Sequence, residues 1–555
     1  MNAKATTPFS TPKQLFLALQ VVLIVWTANG FSLKTSERPL TTVERPLLER
    51  LDKLLTRIQN PEKQLKDHTY LSGNYAPVSD ENVEVPVEIV EGSLPNNLNG
   101  MFSRNGPNPI ANRPIEKRKR YHWFDGHAML HNLLIEDGKA KYTNQFVPSI
   151  RYQIEQELDE EFFPTLGEYD GLVGLIKILF HPKMVRRRVP DLKTVLPPNT
   201  NVLMFDNKFY CLNESNLPFE CKVSPDGTLQ PVGYETFNGL LDYPVSAHPH
   251  VDGKKLLFHS YTTDIELIAR DGPMKVGAYD AETKQLDFYF SPTNETYISF
   301  AHGMMYTENY MIIWDCNVHF DPKGMFDGGS FFRAMQDHNL RFGVVPRNAT
   351  NPNDVIWIDT GHSAAIVHPL NAWEEKNGTI VMWTPRCENL IVDLESDDLN
   401  LFNMVEYRID PRTRTSIMTV IDDTVNIEFS VAPQLGKFTR YGFTAIQDPS
   451  TPGEGSFSGC CTWDMETRSY QATYYAEHEV GGEPMVAQAP DGEIYVGTYL
   501  YNFREEQSYF VLYNGQTNEV VCRLKMPFRV PFGFHGQWIS KEELQAHFAH
   551  HGTGQ

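Results

Sequence analysis

From Pro77 onward, short apolar or alternating runs recur: NVLMF, KFYCL, KKLLFHSY, YMIIWD, TIVMWT, EIYVGTYLY, YFVLY and VVCRLKM. Runs this short, rich in β-branched and aromatic residues, predict strands. Turn dipeptides punctuate them: Asp137-Gly138, Asp226-Gly227, Asp252-Gly253, Asp271-Gly272, Asn377-Gly378, Asp491-Gly492 and Asn514-Gly515. Such pairs supply the positive φ angles of tight hairpins. The stretch SYFVLYNGQTNEVVCRLKM is the clearest hairpin. The pattern predicts an all-β chain, built as two or three sandwiches or as one large propeller. No fixed repeat period selects between them.

Two segments depart from this pattern. In residues 47–58, Leu47, Leu48, Leu51, Leu54, Leu55 and Ile58 share one helical face. In residues 172–180, Leu172, Val173, Leu175, Ile176, Ile178, Leu179 and Phe180 form an apolar helix flanked by Lys183, Arg186, Arg187 and Arg188. A core helix would show this pattern. So would a membrane patch whose cations meet lipid phosphate, and the local basic cluster favours the membrane.

The run LFLALQVVLIVW, Leu15 to Trp26, follows Lys4 and Lys13 and is short for a bilayer span. With Ala28-x-Gly30 behind it, it reads as a targeting or anchor segment. The hydroxyl-rich, net basic residues 31–46 resemble a transit segment, which fits a plastid destination; a cytoplasmic or endomembrane peripheral location is the alternative.

Composition narrows the function classes. The 555 residues carry 49 Lys and Arg against 70 Asp and Glu, a net charge of −21, which excludes a nucleic-acid partner. Seven cysteines, with no C-x2-C pair, predict idle thiols rather than a disulfide framework or a zinc ribbon. Among 18 histidines there is no compact metal motif. Four stand among apolar or small residues at predicted strand edges: His248 in VSAHPHVDG, His302 in SFAHGMMYTEN, His368 in AIVHPLNAWEE and His535 in VPFGFHGQW. They lie 54, 66 and 167 residues apart, so only the fold could bring them together.

These four contexts, in this order, together with LPNNLNGMFSRNGPNP (Leu94–Pro109) and YHWFDGHAMLH (Tyr121–His131), resemble the carotenoid cleavage dioxygenase family from about Asn74 to Ser540. The resemblance implies a seven-bladed β-propeller with a helical cap and an N-terminal helical arm. Its divisions are a targeting segment at 1–30, an arm at 31–75, the propeller at 76–545 and a tail at 546–555. It implies one Fe(2+) per chain on His248, His302, His368 and His535, each from an inner strand, oriented by Glu214, Glu428 and Glu483. Imidazole suits such a metal, and four leave two coordination positions for O2 and a water. No side chain is then required as acid or base. Phe124, Trp373, Phe532 and Phe534 become candidates for packing against a polyene.

The implied reaction is oxidative scission of a conjugated double bond in a carotenoid or apocarotenoid drawn from a membrane, giving two carbonyl products. A retinoid isomerohydrolase-like or stilbenoid-cleaving enzyme on the same propeller is one alternative; an inactive carotenoid-binding propeller is another. Gly303 and Met304 depart from the Asp-Phe common in relatives and are expected at the tunnel wall. Met485 and Ala487 depart from a GEPxFVP-like run. His127, where relatives carry Asp or Gln, is expected to be structural.

Overall fold

The computed structural model describes residues 50–56, 69–110, 121–169, 171–186, 188–189, 191–293, 297–321, 324–325, 332–391, 400–448 and 457–552. The targeting segment and most of the arm lie outside these residues. The predicted strands form, and they assemble into seven blades.

Blade one runs Asn201–Phe205, Lys208–Leu212, Phe219–Val223 and Leu229–Tyr234. Blade two runs His250–Asp252, Lys255–Tyr261, Met274–Asp280 and Gln285–Phe290; blade three runs Met305–Tyr306, Tyr310–Asp315, Arg341–Pro346 and Ile356–Asp359. Blade four runs Asn371–Glu374, Ile380–Cys387, Phe402–Asp410 and Thr415–Asp422; blade five runs Ile427–Val431, Tyr441–Ile446, Gly459–Asp464 and Ser469–Tyr474.

The two remaining blades mix the chain ends. In blade six, Glu479–Gly481 and Met485–Gln488 both pair with Ile494–Asn502, followed by Gln507–Asn514, Val520–Lys525 and the early strand Glu88–Gly92. In blade seven, the late strand Gly536–Ser540 pairs with Gly100–Asn108, followed by His127–Glu136, Lys139–Phe146 and Asn82–Pro86. The ring therefore closes twice, once with an N-terminal strand and once with a C-terminal one. Closure leaves only short edges at each blade's rim.

Turn chemistry follows the sequence closely. Asp137 and Gly138 both take positive φ (49° and 71°) between the strands His127–Glu136 and Lys139–Phe146. Asp271-Gly272 differs: it terminates a helix, Ile265–Asp271, rather than a hairpin. In the 507–525 hairpin, Asn518 and not Gly515 takes the positive φ. Trp314, Trp383 and Trp463 are fully buried in the cores of blades three, four and five. All seven cysteines are buried and free.

The helix Gly171–Val185 lies in the chain segment that connects blade seven to blade one. Val173 and Ile176 bury against Leu55 of the helical residues 50–56, while Leu54 is exposed. Leu172, Leu175 and Ile178 are half-buried; the side chains of Leu179 and Phe180 lie outside the described residues. Lys177, within this apolar run, is fully buried; it pairs with Glu168 at 2.6 Å and donates to Thr56 Oγ1 at 2.8 Å. Of the basic flank, Arg186 pairs with Glu266 and Arg188 lies over the Phe162 ring. Part of the predicted patch is thus interior. No helix among the described residues is long and apolar enough to cross a membrane.

The helix Lys541–His551 follows the last strand directly and packs through Leu544 and His547; His547 Nε2 accepts from Val223 N. The boundary drawn at 545/546 falls inside this helix.

Candidate metal centre

Each of the four candidate histidines sits one to three residues ahead of the first strand of its blade: His248 before blade two, His302 before three, His368 before four and His535 before seven. They enter from the connecting loops, not from within the strands as expected. Their ligand nitrogens all lie within 4.8 Å of one another. His302 Nε2 is 2.8 Å from His248 Nε2 and 2.9 Å from His368 Nε2.

Main-chain anchoring explains how loops hold this geometry. The RNGPNP motif pins His535: Asn105 N donates to His535 O and Phe534 N to Asn105 O, each at 2.9 Å. The side chain of Asn105 also bridges Pro198 O and Asn201 O. Gly106 permits this approach, because a Cβ there would lie 2.7 Å from Gly533 Cα. Trp314 Nε1 donates to Ile366 O, in the loop that carries His368.

The segment with His302 is gripped by two other histidines. His259 Nε2 donates to Ala301 O at 2.6 Å and His250 Nε2 to Met304 O at 2.9 Å. Neither role was visible in sequence, although HPHVDG places His250 beside a ligand candidate. Gly303 is required by packing: a Cβ would lie 2.6 Å from Val367 O. Met304 is buried in the core of blade three. These two departures therefore act between the His302 and His368 segments.

The three glutamates stand behind three of the histidines. His535 Nδ1 donates to Glu483 Oε1 at 2.8 Å, and Gly536 N donates to Glu483 Oε2 at 2.9 Å. His368 Nδ1 donates to Glu428, which also accepts from Phe429 N. His302 Nδ1 lies 3.1 Å from Glu214 Oε2, out of hydrogen-bond alignment. His248 has no carboxylate partner among the described residues.

This donor set fits a divalent cation. A ring that gives its Nδ1 proton to a carboxylate presents a bare lone pair at Nε2. Lone pairs facing each other below 3 Å repel unless a cation lies between them. Protonating the rings instead is disfavoured: burial and the neighbouring histidines hold His248 and His368 well below the usual imidazole range. Burial pushes the Glu428 carboxyl up to about 7. Burial would also raise Glu214, but His302 and Tyr261 hold it below the usual carboxylate value.

Aromatic rings flank the quartet. Phe300 stacks on His302 at 5.6 Å, and Phe429 meets His368 at 4.9 Å and His535 at 5.2 Å. Phe429 has φ 54° in a bulge opposite blade five's second strand, an uncommon conformation for a bulky residue. From Phe429 a chain of ring contacts runs through Phe457, Phe532 and Trp123 to Phe534 and Phe124. Three of the four expected aromatics thus connect to the histidines. Trp373 does not: its ring packs on Phe438 and on the core around Leu370, Val381 and Trp383. It is the third residue of the strand Asn371–Glu374, which leads away from His368 at about 3.3 Å per residue.

Two other polar groupings are structural. His127 pairs with Glu155 at 2.8 Å, both side chains buried, and is not among the four clustered histidines. Asp315, His319 and His338 also approach within 4.8 Å. There Arg341 donates twice to Asp315 Oδ2, with Tyr297 and His338 on the same oxygen, and its cation occupies the place of a metal charge.

A family model described as retinal pigment epithelial membrane protein matches residues 75–540. A carotenoid 9,10(9′,10′)-cleavage dioxygenase of Pisum sativum is 28% identical over 563 residues, covering 93% of this chain and 98% of that one. A chloroplastic 9-cis-epoxycarotenoid dioxygenase of Arabidopsis thaliana is 26% identical, covering 92% and 90%. Among solved structures, the lignostilbene dioxygenase of Pseudomonas brassicacearum superposes with a TM-score of 0.71 at 20% identity, covering 86% of this chain and 100% of that one. The cobalt-substituted Synechocystis apocarotenoid oxygenase gives 0.69 at 23%, covering 84% and 97%.

Proposed function

Since the chain belongs to the carotenoid oxygenase family, whose model spans residues 75–540, we propose that it is an Fe(II)-dependent dioxygenase that cleaves a conjugated double bond of a carotenoid or apocarotenoid. The reaction consumes one O2 and yields two carbonyl products. The observation that carries this reading is the convergence of four imidazoles, His248 half-buried and the other three buried, with carboxylates of three glutamates beside three of them. The plant relatives named for carotenoid cleavage support the substrate class.

His248, His302, His368 and His535 would hold the iron through Nε2. When bound, iron supplies the binding and activation of O2 at the positions that four imidazoles leave open. Glu428 and Glu483 keep the Nδ1 protons of His368 and His535 in place and set those ring planes, and Glu214 stands beside Nδ1 of His302. Phe300 and Phe429 offer apolar faces beside the quartet, and the ring chain to Phe124 offers an apolar lane for a polyene. Such walls position the bond and exclude water. No acid or base is asked of any side chain.

The substrate would be taken from a membrane surface through Leu172, Leu175 and Ile178, the half-exposed residues of the apolar helix. A plastid location accords with the chloroplastic relative, and the segment that would direct it lies outside the described residues.

The test is incubation of iron-loaded protein with a panel of carotenoids, apocarotenoids, stilbenes and retinyl esters under labelled O2, followed by mass analysis. Labelled aldehydes or ketones from a carotenoid support the reading. Labelled aldehydes from stilbenes alone would move the substrate class. An unlabelled isomerised alcohol would establish isomerohydrolase chemistry instead.

A further inference from the structure

His302 has the least complete support of the carboxylate-backed histidines. Its Nδ1 approaches Glu214 Oε2 at 3.1 Å without alignment, whereas His368 and His535 donate directly to their glutamates. Glu428 and Glu483 are themselves held by main-chain amides, from Phe429 and Gly536. Glu214 lies in the loop between the second and third strands of blade one, and its amide contact, from Ala247 N, is long at 3.3 Å.

One side chain reaches His302 by two routes. Tyr261, at the end of Lys255–Tyr261, donates its hydroxyl proton to Glu214 Oε2 at 2.8 Å, the same oxygen that faces His302. Its ring meets Phe300 edge-on at 6.1 Å, and Phe300 lies nearly parallel to the His302 imidazole, 15° apart at 5.6 Å. Tyr261 and Phe300 are both buried. A buried hydroxyl aimed at a carboxylate fixes its rotamer, and a ring pressed on an imidazole fixes its plane.

We propose that Tyr261 is a positioning residue of the metal centre, turning Glu214 toward His302 Nδ1 and, through Phe300, setting the plane of that ring. This rests on the metal-centre reading above. Tyr261 is not one of the four clustered imidazoles and reaches them through Glu214 and Phe300. Groups behind a ligand's carboxylate alter metal affinity by about 10–100-fold when removed.

The experiment is a double-mutant cycle on the full chain: wild type, Tyr261→Phe, Glu214→Gln and the pair. Fe(II) affinity is measured anaerobically by chelator competition, and Co(II)-loaded protein gives a visible spectrum that reports ligand geometry. The expected result is about a tenfold affinity loss in Tyr261→Phe, a shifted Co(II) spectrum and a metal-free melting temperature lowered by no more than the loss of one hydrogen bond explains. The pair should match Glu214→Gln alone, because the hydroxyl acts through that carboxylate. If Glu214→Gln does not fold, Glu214→Asp takes its place with the same expected non-additivity. Unchanged affinity in Tyr261→Phe overturns the proposal. So does a loss that adds in full to that of the Glu214 variant. A wild-type chain that takes up no iron at all overturns the metal-centre reading and this inference with it.

Discussion

Gly303 and His368 show how single residues carry this centre. Adding one methyl at Gly303 drives a Cβ to within 2.6 Å of Val367 O. Gly303→Ala should cost about 1–3 kcal/mol of stability and separate the His302 and His368 loops, so iron affinity falls along with the melting temperature. His368→Ala removes a proposed ligand and leaves Glu428 without its imidazole. It should abolish iron retention while circular dichroism remains that of the propeller; full iron content in that variant would refute its role. The four histidines were legible in sequence only because each stands in a recognisable local context. His250 and His259 were not, since a histidine that binds a carbonyl carries no signature of its own. Tyr261 was hidden because its partner Glu214 lies 47 residues away in blade one; Phe300 is close to His302 in sequence, but only the fold stacks its ring on that imidazole.

The blade-three insertion makes a different prediction at the scale of elements. Asp315 ends Tyr310–Asp315, and the strands Val318–Phe320 and Phe332–Ala334 follow it. Burial would raise its carboxyl, but His338, Tyr297 and Arg341 hold it down at about 2. A carboxyl depressed in the folded state stabilises it above its unfolded pKa of about 4, and that stability is lost as pH falls toward 2. Asp315→Asn should therefore melt below wild type at pH 6, and the gap should narrow steadily between pH 4 and pH 2. A gap independent of pH would show that the ion pair contributes nothing. The strands themselves were legible because alternating runs and Asp-Gly turns are local signals. The apolar helix was legible as a helix but not in its surroundings. Nothing in LVGLIKILF shows that Lys177 would bury against Glu168 and Thr56, because that pairing depends on residues 9 and 121 positions away.

At the scale of the whole molecule, the ring is closed by strands from both the early and the late parts of the chain, and one closing strand carries a proposed ligand at its head. His535 precedes Gly536–Ser540, which completes blade seven against Gly100–Arg104. Removing residues 536–555 should therefore abolish iron uptake and cooperative unfolding together, read by metal analysis and a thermal melt. A truncated chain that still melts in one sharp transition would show that the closure is dispensable. Blade number was not legible from the residues alone, since the blades share no repeat of fixed period; it followed from the family resemblance. The most direct test of the central claim is iron K-edge X-ray absorption on the anaerobically loaded protein with its metal content measured. The expected result is one iron per chain with the multiple-scattering pattern of four imidazoles. A spectrum with two or fewer imidazoles, or with sulfur in the ligand shell, would contradict it.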